Sequence, residues 1–486
     1  MFIFMNYKFR YMRIVKTLSF LLIILWFTGA NAQEKWSLEK CINYALEKNI
    51  QVKMQDLSSV NSKAGYLKSK MTFLPNLNGS ASQSYSLGRS LDPLTNEFTE
   101  SNARSNNFSL SSSLTLFNGF QNVNALKQSY LNFQASLEDL QKAKNDLSLN
   151  IASAFLQILF NYELVYVAQN QVELSKQQVD RNLKLYEAGS IAQGNYLEMQ
   201  SQLASDEMQL VNTENQLELS YLTLSQLLDL GFDSIEIEKP TIPDPEFSLQ
   251  LETPEQIYNE ALQKLPQIRS AELKMKSAEK GLAIARGYRS PRLTLSGIYS
   301  TGYSSQRQSL AGITPDTPIL TGFADDGAGN TFAVYSYNYK YDYSTPSFNK
   351  QLKDNNSKNI SFNLTLPIFN NWQTNYSVSS AKINSLNSRY AYELAEQQLQ
   401  KEIQQAYTDA TTSYKKYLAA KKSVTASQES FKYIQQKFDL GMVTSVDFNL
   451  AKNNLARARS ELIKAKYEYV FRMKIIDFYR GVPIKL

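Results

Sequence analysis

The sequence predicts a mainly α chain with a β-barrel part, in which four membrane-length strands are continued by very long helices. Three observations predict it. One order of elements occurs twice along the 486 residues, at constant offsets. Four segments alternate apolar with small polar residues at period two. Two long stretches, Gln121–Leu228 and Trp372–Ile476, keep helical spacing and are broken only near Gly189 and Gly441.

The N-terminus reads as an export signal. Lys8, Arg10, Arg13 and Lys16 precede the apolar run Leu18–Phe27, and Ala30-Asn-Ala32 follows it. The run is shorter than a membrane-spanning helix requires, and the small residues fit a signal-peptidase site. A signal peptide is therefore expected at 1–32, with the mature chain starting at Gln33. Met12 is an alternative start that leaves a signal of ordinary length. No cysteine stands at the cleavage point, which argues against a lipoprotein. Beyond this segment no apolar run approaches the ~20 residues of a spanning helix. An exported chain of this kind is either free in the periplasm or a β-barrel.

Composition removes other classes. The formal net charge of +6 falls to +2 without the four cations of the leader (6 − 4), which gives no support to nucleic-acid binding. There is no histidine, the commonest metal ligand and general base, and a single cysteine, Cys41. With no nucleophile–base pair or ligand cluster in view, no catalytic, cofactor or metal site is expected. Cys41 reads as a small apolar residue on a helix face. The mean hydropathy of −0.37 is low for a bundle of membrane helices, while 30 Tyr and 25 Phe suit strand surfaces and membrane interfaces.

The first structural repeat is expected at 33–235. A helix starts at the cap Ser37 and ends near Thr72, before Pro75. In Leu77–Leu87 and in Asn107–Leu116, apolar residues alternate with Ser, Asn and Thr over about the length of a membrane barrel strand. Helical and coiled-coil spacing then carries Leu147, Ile151, Ala154, Ile158, Val165, Ala168, Val172 and Val179. A continuous helix from Gln121 to Glu187 would reach ~100 Å at 1.5 Å per residue, so it must pack on similar helices.

A linker at 236–252, marked by Pro240, Pro243 and Pro245, leads to the second repeat at 253–486. Ser37–Lys48 and Thr253–Lys264 align at a shift of about 216, which also carries Pro75 onto Pro291. Thr253-Pro-Glu-Gln256 fits a capping box with proline at the first helical position. Phe117-Asn118 and Gly189 recur as Phe369-Asn370 and Gly441 at a shift of about 252. The change of shift places an insertion of about 36 residues between Tyr303 and Asn359. It enlarges the loop at 302–358, where Tyr335, Tyr337, Tyr339, Tyr341 and Tyr343 alternate with mostly polar residues. A plug, a receptor surface and loop drift all fit this segment.

Four strands cannot close a barrel, because unpaired edges in lipid cost several kcal/mol per group and barrels start at about eight strands. Several copies must share one. Two would give the smallest barrel and three would leave room for a lumen; the residues do not choose between them.

This pattern resembles the TolC family of outer-membrane efflux proteins, over the whole chain from Gln33 to Leu486. The residues carrying the resemblance are the strand entry Leu74-Pro-Asn-Leu77, the strand exit Leu114-Thr-Leu-Phe-Asn-Gly119 and its repeat Leu366-Pro-Ile-Phe-Asn370. The glycine turns Tyr186-Glu-Ala-Gly-Ser190 and Phe438-Asp-Leu-Gly-Met442 complete the set. The resemblance implies a homotrimer, with a twelve-stranded barrel in the outer membrane continued by a periplasmic α-helical barrel. It implies no catalytic site, contact with outer-membrane lipid, and docking to a periplasmic adaptor (membrane fusion) protein and an inner-membrane pump. It puts adaptor docking at Ala188, Gly189, Ser190, Leu440, Gly441 and Met442. It puts a pore constriction at Asp447, where three carboxylates would meet, and at Leu450, where some members carry a second acid. The residues alone give Asp447 a second reading, because Thr444-x-x-Asp447 also fits a capping box. The places of a polar gate-locking pair hold Val443 and Asn195. An unassisted diffusion porin and a periplasmic coiled-coil spacer are the competing functions. The long helices argue against the first, the alternating strands against the second.

Overall fold

The computed structural model describes residues 35–91, 98–100, 102–231, 235–240, 242–245 and 252–485. The expected signal peptide at 1–32 lies outside the described residues. The chain divides into two units: residues up to 61 with 134–274 and 389–486, and residues 62–133 with 275–388.

The first unit is helical. Helix α1 (Leu38–Lys48) is capped by Ser37, whose Oγ accepts from the Lys40 N–H at 3.2 Å. The single helix expected from Ser37 to Thr72 is in fact two, α1 and α2 (Ile50–Met71). Asn49 separates them because its Oδ1 accepts from the N–H groups of Gln51 and Val52, at 2.9 and 3.3 Å, and so caps a new helix. The same break occurs between α5 (Pro254–Lys264) and α6 (Pro266–Gly287). There Pro266 keeps Leu265 out of the helical region, at φ −79° and ψ 126°. Thr253 and Gln256 form the expected capping box.

Helices α3 (Gln121–Glu187) and α8 (Gln373–Asp439) have 67 residues each, and α4 (Gln193–Leu227) and α9 (Ser445–Tyr479) have 35 each. Two apolar cores support them. One joins Cys41 and Ala45 of α1 to Ile151, Phe155 and Ile158 of α3 and Leu224 of α4. The other joins Ile257 and Ala261 of α5 to Leu399 and Ile403 of α8 and Ile476 of α9. Cys41 is fully buried, and burial pushes its thiol up to about 12. One window of α3 is apolar enough, by length and composition, to cross a membrane, which corrects the expectation that none beyond the leader would be. More than half of that window is buried within the chain, where Ile151–Leu159 form the first core.

The second unit carries a four-stranded antiparallel sheet in the order β1-β4-β5-β10: β1 (Asn76–Ser86), β4 (Ala103–Phe117), β5 (Arg292–Ser304) and β10 (Ser357–Thr365). The registers set Ala81 against Phe108, Leu114 against Leu295, and Leu295 against Phe362 on one face. On the other they set Ser80 against Ser109, Ser113 against Ser296, and Ser296 against Ser361. One face is thus apolar and uncovered, with Phe362 67% exposed, and the other is lined with hydroxyls and amides. The last strand stops at Thr365, since Pro367 has no N–H for the ladder.

Between β1 and β4 lies a short ribbon of β2 (Arg89–Leu91) and β3 (Phe98–Glu100). The enlarged loop carries two strand pairs, in keeping with its alternating tyrosines. Strand β6 (Ser309–Pro315) pairs with β9 (Tyr339–Ser344), and β7 (Ile319–Asp325) with β8 (Thr331–Ser336), followed by the short helix α7 (Phe348–Asp354).

The strand exit Leu114–Gly119 has a local cause. Gly119 and Phe120 both take positive φ, 65° and 60°, and Asn371 and Trp372 do so at the matching place, 52° and 67°. At Gly119 a Cβ would also lie 2.6 Å from the Gly287 carbonyl and 2.5 Å from the Ser290 Cβ. Gly119→Ala is expected to destabilise the protein by about 1–3 kcal/mol from the backbone alone, with the clash in addition. Gly79→Ala, whose Cβ would meet only Leu110 at 3.9 Å, is the matched control. Thermal unfolding of the purified variants checks this: equal midpoints would remove the constraint from Gly119.

Candidate functional site

Two helical hairpins, α3–α4 and α8–α9, end in the two glycine turns. Both turns have the same hydrogen bonds. Gly189 N–H donates to the Tyr186 carbonyl and Ser190 N–H to that of Leu185, at 2.9 and 2.8 Å. Gly441 N–H donates to Phe438 and Met442 N–H to Lys437, at 3.0 and 2.8 Å. This is a Schellman closure, which needs a left-handed residue, and both glycines have φ +71°. No atom of the described residues lies within 4 Å of a Cβ built at either glycine. Conformation, not crowding within the chain, therefore explains these glycines. Ala188, Gly189, Ser190, Leu440, Gly441 and Met442 are all exposed, and Leu440 and Met442 are large apolar side chains held in solvent.

Behind the turns, polar side chains tie the two hairpins together. The Arg181 guanidinium pairs with the Asp439 carboxylate, donates to the Asp439 carbonyl at 3.1 Å and lies 5.6 Å over the Phe438 ring. The Ser445 hydroxyl donates to Glu198. Deeper in, Lys452 is 1% exposed, and its ammonium donates to Ser175 Oγ and Asp206 Oδ2, each at 2.6 Å. Ser175 and Gln202 also donate to Asp206, at 2.5 and 2.7 Å. Sequence reasoning missed this cluster. The signal was present: Lys452 falls between Phe448 and Leu455 on the buried seam of α9, where an apolar residue is the default.

Asp447 is a cap. Its Oδ2 accepts from the Thr444 N–H at 3.1 Å and the Thr444 hydroxyl at 2.7 Å, while its own N–H donates to Thr444 Oγ at 3.2 Å. The hydrogen bonds from the Thr444 side chain and backbone hold its carboxyl below the usual aspartate range. It remains exposed, and it shares one groove with Leu450 and Asn454 of α9 and Ser427, Ser430 and Ile434 of α8. Capping and an exposed groove position coexist at this residue. Val443 and Asn195 make no side-chain lock; the ties run through Arg181, Ser445 and Lys452 instead. No group of three or more His, Cys, Asp or Glu side chains able to hold a metal occurs among the described residues.

The family model described as "Outer membrane efflux protein" matches residues 41–229 and 257–472. The outer membrane protein TolC of Escherichia coli (strain K12) is 23% identical over 346 residues, covering 69% of this chain and 62% of TolC. That of Salmonella enteritidis is 21% identical over 360 residues, covering 71% and 64%. The chain thus spans less than two thirds of the length of these curated relatives. Among solved structures, CusC, which forms a transmembrane channel, has a TM-score of 0.74 at 17% identity, covering 92% of each chain. The outer membrane protein VceC of Vibrio cholerae has 0.73 at 16%, covering 92% and 97%. The outer-membrane channel OprN has 0.73 at 16%, covering 92% and 90%.

Lys452→Ala is expected to cost about 3–5 kcal/mol, because it leaves the buried Asp206 carboxylate without its cation. Lys452→Met combined with Asp206→Leu is expected to recover most of that loss, since an apolar pair needs no compensation. Chemical unfolding followed by helical circular dichroism measures both. An alanine variant as stable as the parent would make the pair incidental.

Proposed function

The chain belongs to the outer membrane efflux protein family, so it is an outer-membrane protein and not an enzyme, and from that we propose that it is the outer-membrane channel of a tripartite efflux or secretion system. Three copies share one twelve-stranded barrel. A periplasmic adaptor and an inner-membrane pump hand substrate to the helical duct, which releases it outside.

The observation that carries this reading is the uncovered sheet. Its apolar face suits lipid, its hydroxyl face suits a water-filled lumen, and its edges β1 and β10 have no partner among the described strands. Neighbours alternate in direction across the sheet, so β10 of one copy can pair with β1 of the next and keep every contact antiparallel. The 67-residue helices favour an adaptor-linked duct over a simple porin, because a diffusion pore has no use for ~100 Å of helix.

The exposed turns are the adaptor-docking surface in this reading. Each presents backbone without side chain at Gly189 or Gly441, and the second adds Leu440 and Met442 for an apolar contact with an adaptor helix. Gly441→Glu is expected to abolish export of a dye that the parent strain extrudes while leaving the oligomer intact by light scattering. Unchanged export would remove the turn from docking. Gly441→Asn, which tolerates left-handed φ, separates the side-chain effect from backbone strain and is expected to retain more export.

Asp447 and Leu450 form the constriction in the same reading, with three carboxylates near one axis attracting cations. Asp447→Asn keeps the cap, since asparagine suits helix starts. It is expected to reduce cation selectivity and divalent block in planar bilayers with only a slight loss of stability. Identical current traces for parent and variant would leave Asp447 with the cap alone. The cap itself has a pH signature. The carboxyl is depressed in the folded state, so its contribution is present above the unfolded aspartate value and is lost as pH falls through the folded one.

A further inference from the structure

Residues 309–344 form a nested β-hairpin for which the channel reading has no use. We infer that its aromatic face is a contact surface for the same hairpin on neighbouring copies of this chain, so that the hairpins meet over the mouth of the shared barrel. The inference rests on the proposed oligomer.

The hairpin is rooted. Beside its base, Gln351 of α7 is 1% exposed; its side chain accepts from the Ser304 N–H at 3.0 Å and donates to the carbonyls of Ser304 and Pro346 at 2.9 and 3.0 Å. The Asn355 amide donates to the Gly302 carbonyl at 2.7 Å, and the Phe348 ring packs on Tyr303 with centroids 5.3 Å apart. The hairpin thus leaves the top of β5 from a fixed base.

Its two faces differ in kind. Leu310 opposes Tyr343, Ile313 opposes Tyr341 and Pro315 opposes Tyr339 on one face. Ser309–Ser344, Gly312–Asp342 and Thr314–Lys340 make the other. A bulge at Ala311 produces this sorting. Without it the tyrosines at 341 and 339 would oppose Gly312 and Thr314, and the bulge advances the arm by one residue so that Ile313 and Pro315 meet them. The aromatic face is nevertheless uncovered in the single chain, with Tyr341 54% exposed. A two-stranded ribbon is marginal alone in water and needs its apolar face packed.

Symmetry and charge choose the occupant. The hairpin lies between β5 and β10, and β10 is a sheet edge at which a second copy must pair, so each copy delivers an identical face beside an interface that already exists. Identical faces related by a rotation axis can all meet only around that axis. An anionic lipid surface fits poorly, because Lys340 is the hairpin's one cation against Asp316, Asp325, Asp326 and Asp342.

The test uses the full chain with Tyr341→Cys on the aromatic face, or Lys340→Cys on the other. Native Cys41 does not compete, being buried in the first core with its thiol pushed up to about 12. Mild oxidation in the reconstituted channel is expected to convert Tyr341→Cys into a disulfide-linked pair on non-reducing gels and to lower single-channel conductance. Lys340→Cys is expected to stay unlinked. An oligomer, intact by light scattering, in which position 341 links no more than position 340 overturns the inference and leaves the channel reading standing. A monomeric chain overturns both.

Discussion

Backbone hydrogen bonding in lipid is the constraint from which the rest of this molecule follows. An N–H or C=O without a partner in hydrocarbon costs several kcal/mol, so a sheet in a membrane must have no edges. This chain supplies four strands and leaves β1 and β10 open. The sheet's apolar face has no cover among the described residues either, so two deficits point to the same remedy, other copies and lipid. The duplication supplies strands in antiparallel pairs, β1 with β4 and β5 with β10, which keeps both edges compatible with each other.

In the long helices the problem is reversed. Helices satisfy their own backbone, and what they lack is lateral definition. A 67-residue helix with an apolar seam can slide against a similar one by a heptad at little cost. Polar groups buried in the seam forbid this. Lys452 reaches Ser175 and Asp206 in one register only, and Arg181 reaches both the Asp439 side chain and its carbonyl. Such pairs add little net stability, because removing two charges from water costs about as much as their attraction returns. Their contribution is to fix how α8 and α9 lie on α3 and α4, and hence where both glycine turns stand.

Much of the fold was legible because its signals are local and repeated. Period-two alternation placed the four strands, helical spacing placed α3 and α8, and the glycines marked the turns. The misses have physical causes. Asn49 reads as an ordinary polar helix residue until its side chain is seen to cap α2, and a cap cannot be told from a surface position by periodicity. The hairpin at 309–344 was seen as alternating tyrosines without its pairing, because a bulge breaks the register that alternation alone would give. The Lys452 cluster joins residues far apart in sequence, so only the odd placement of a lysine on a seam announced it. At the two turns the glycines answer to their positive φ, and nothing among the described residues crowds a Cβ there.

Asp447 shows how one residue can satisfy both readings and why their electrostatics oppose. As a cap, its carboxylate accepts two hydrogen bonds from Thr444, which favours the charged form. In a ring of three around an axis, each carboxylate would feel two like charges, which favours the proton or a bound cation instead. The cap acts at hydrogen-bond distance, whereas repulsion across a water-filled lumen is screened beyond a Debye length of about 8–10 Å. A wide lumen therefore leaves the cap dominant and the ring ionised, while a narrow one lets repulsion compete. In such a ring the charge state would report the radius: constriction would raise proton and cation affinity, and dilation would restore three capped carboxylates. In that arrangement Leu450, one turn further along the same exposed face, would add an apolar band beside the charged one, so that a closed ring excludes water next to the place where it holds a cation.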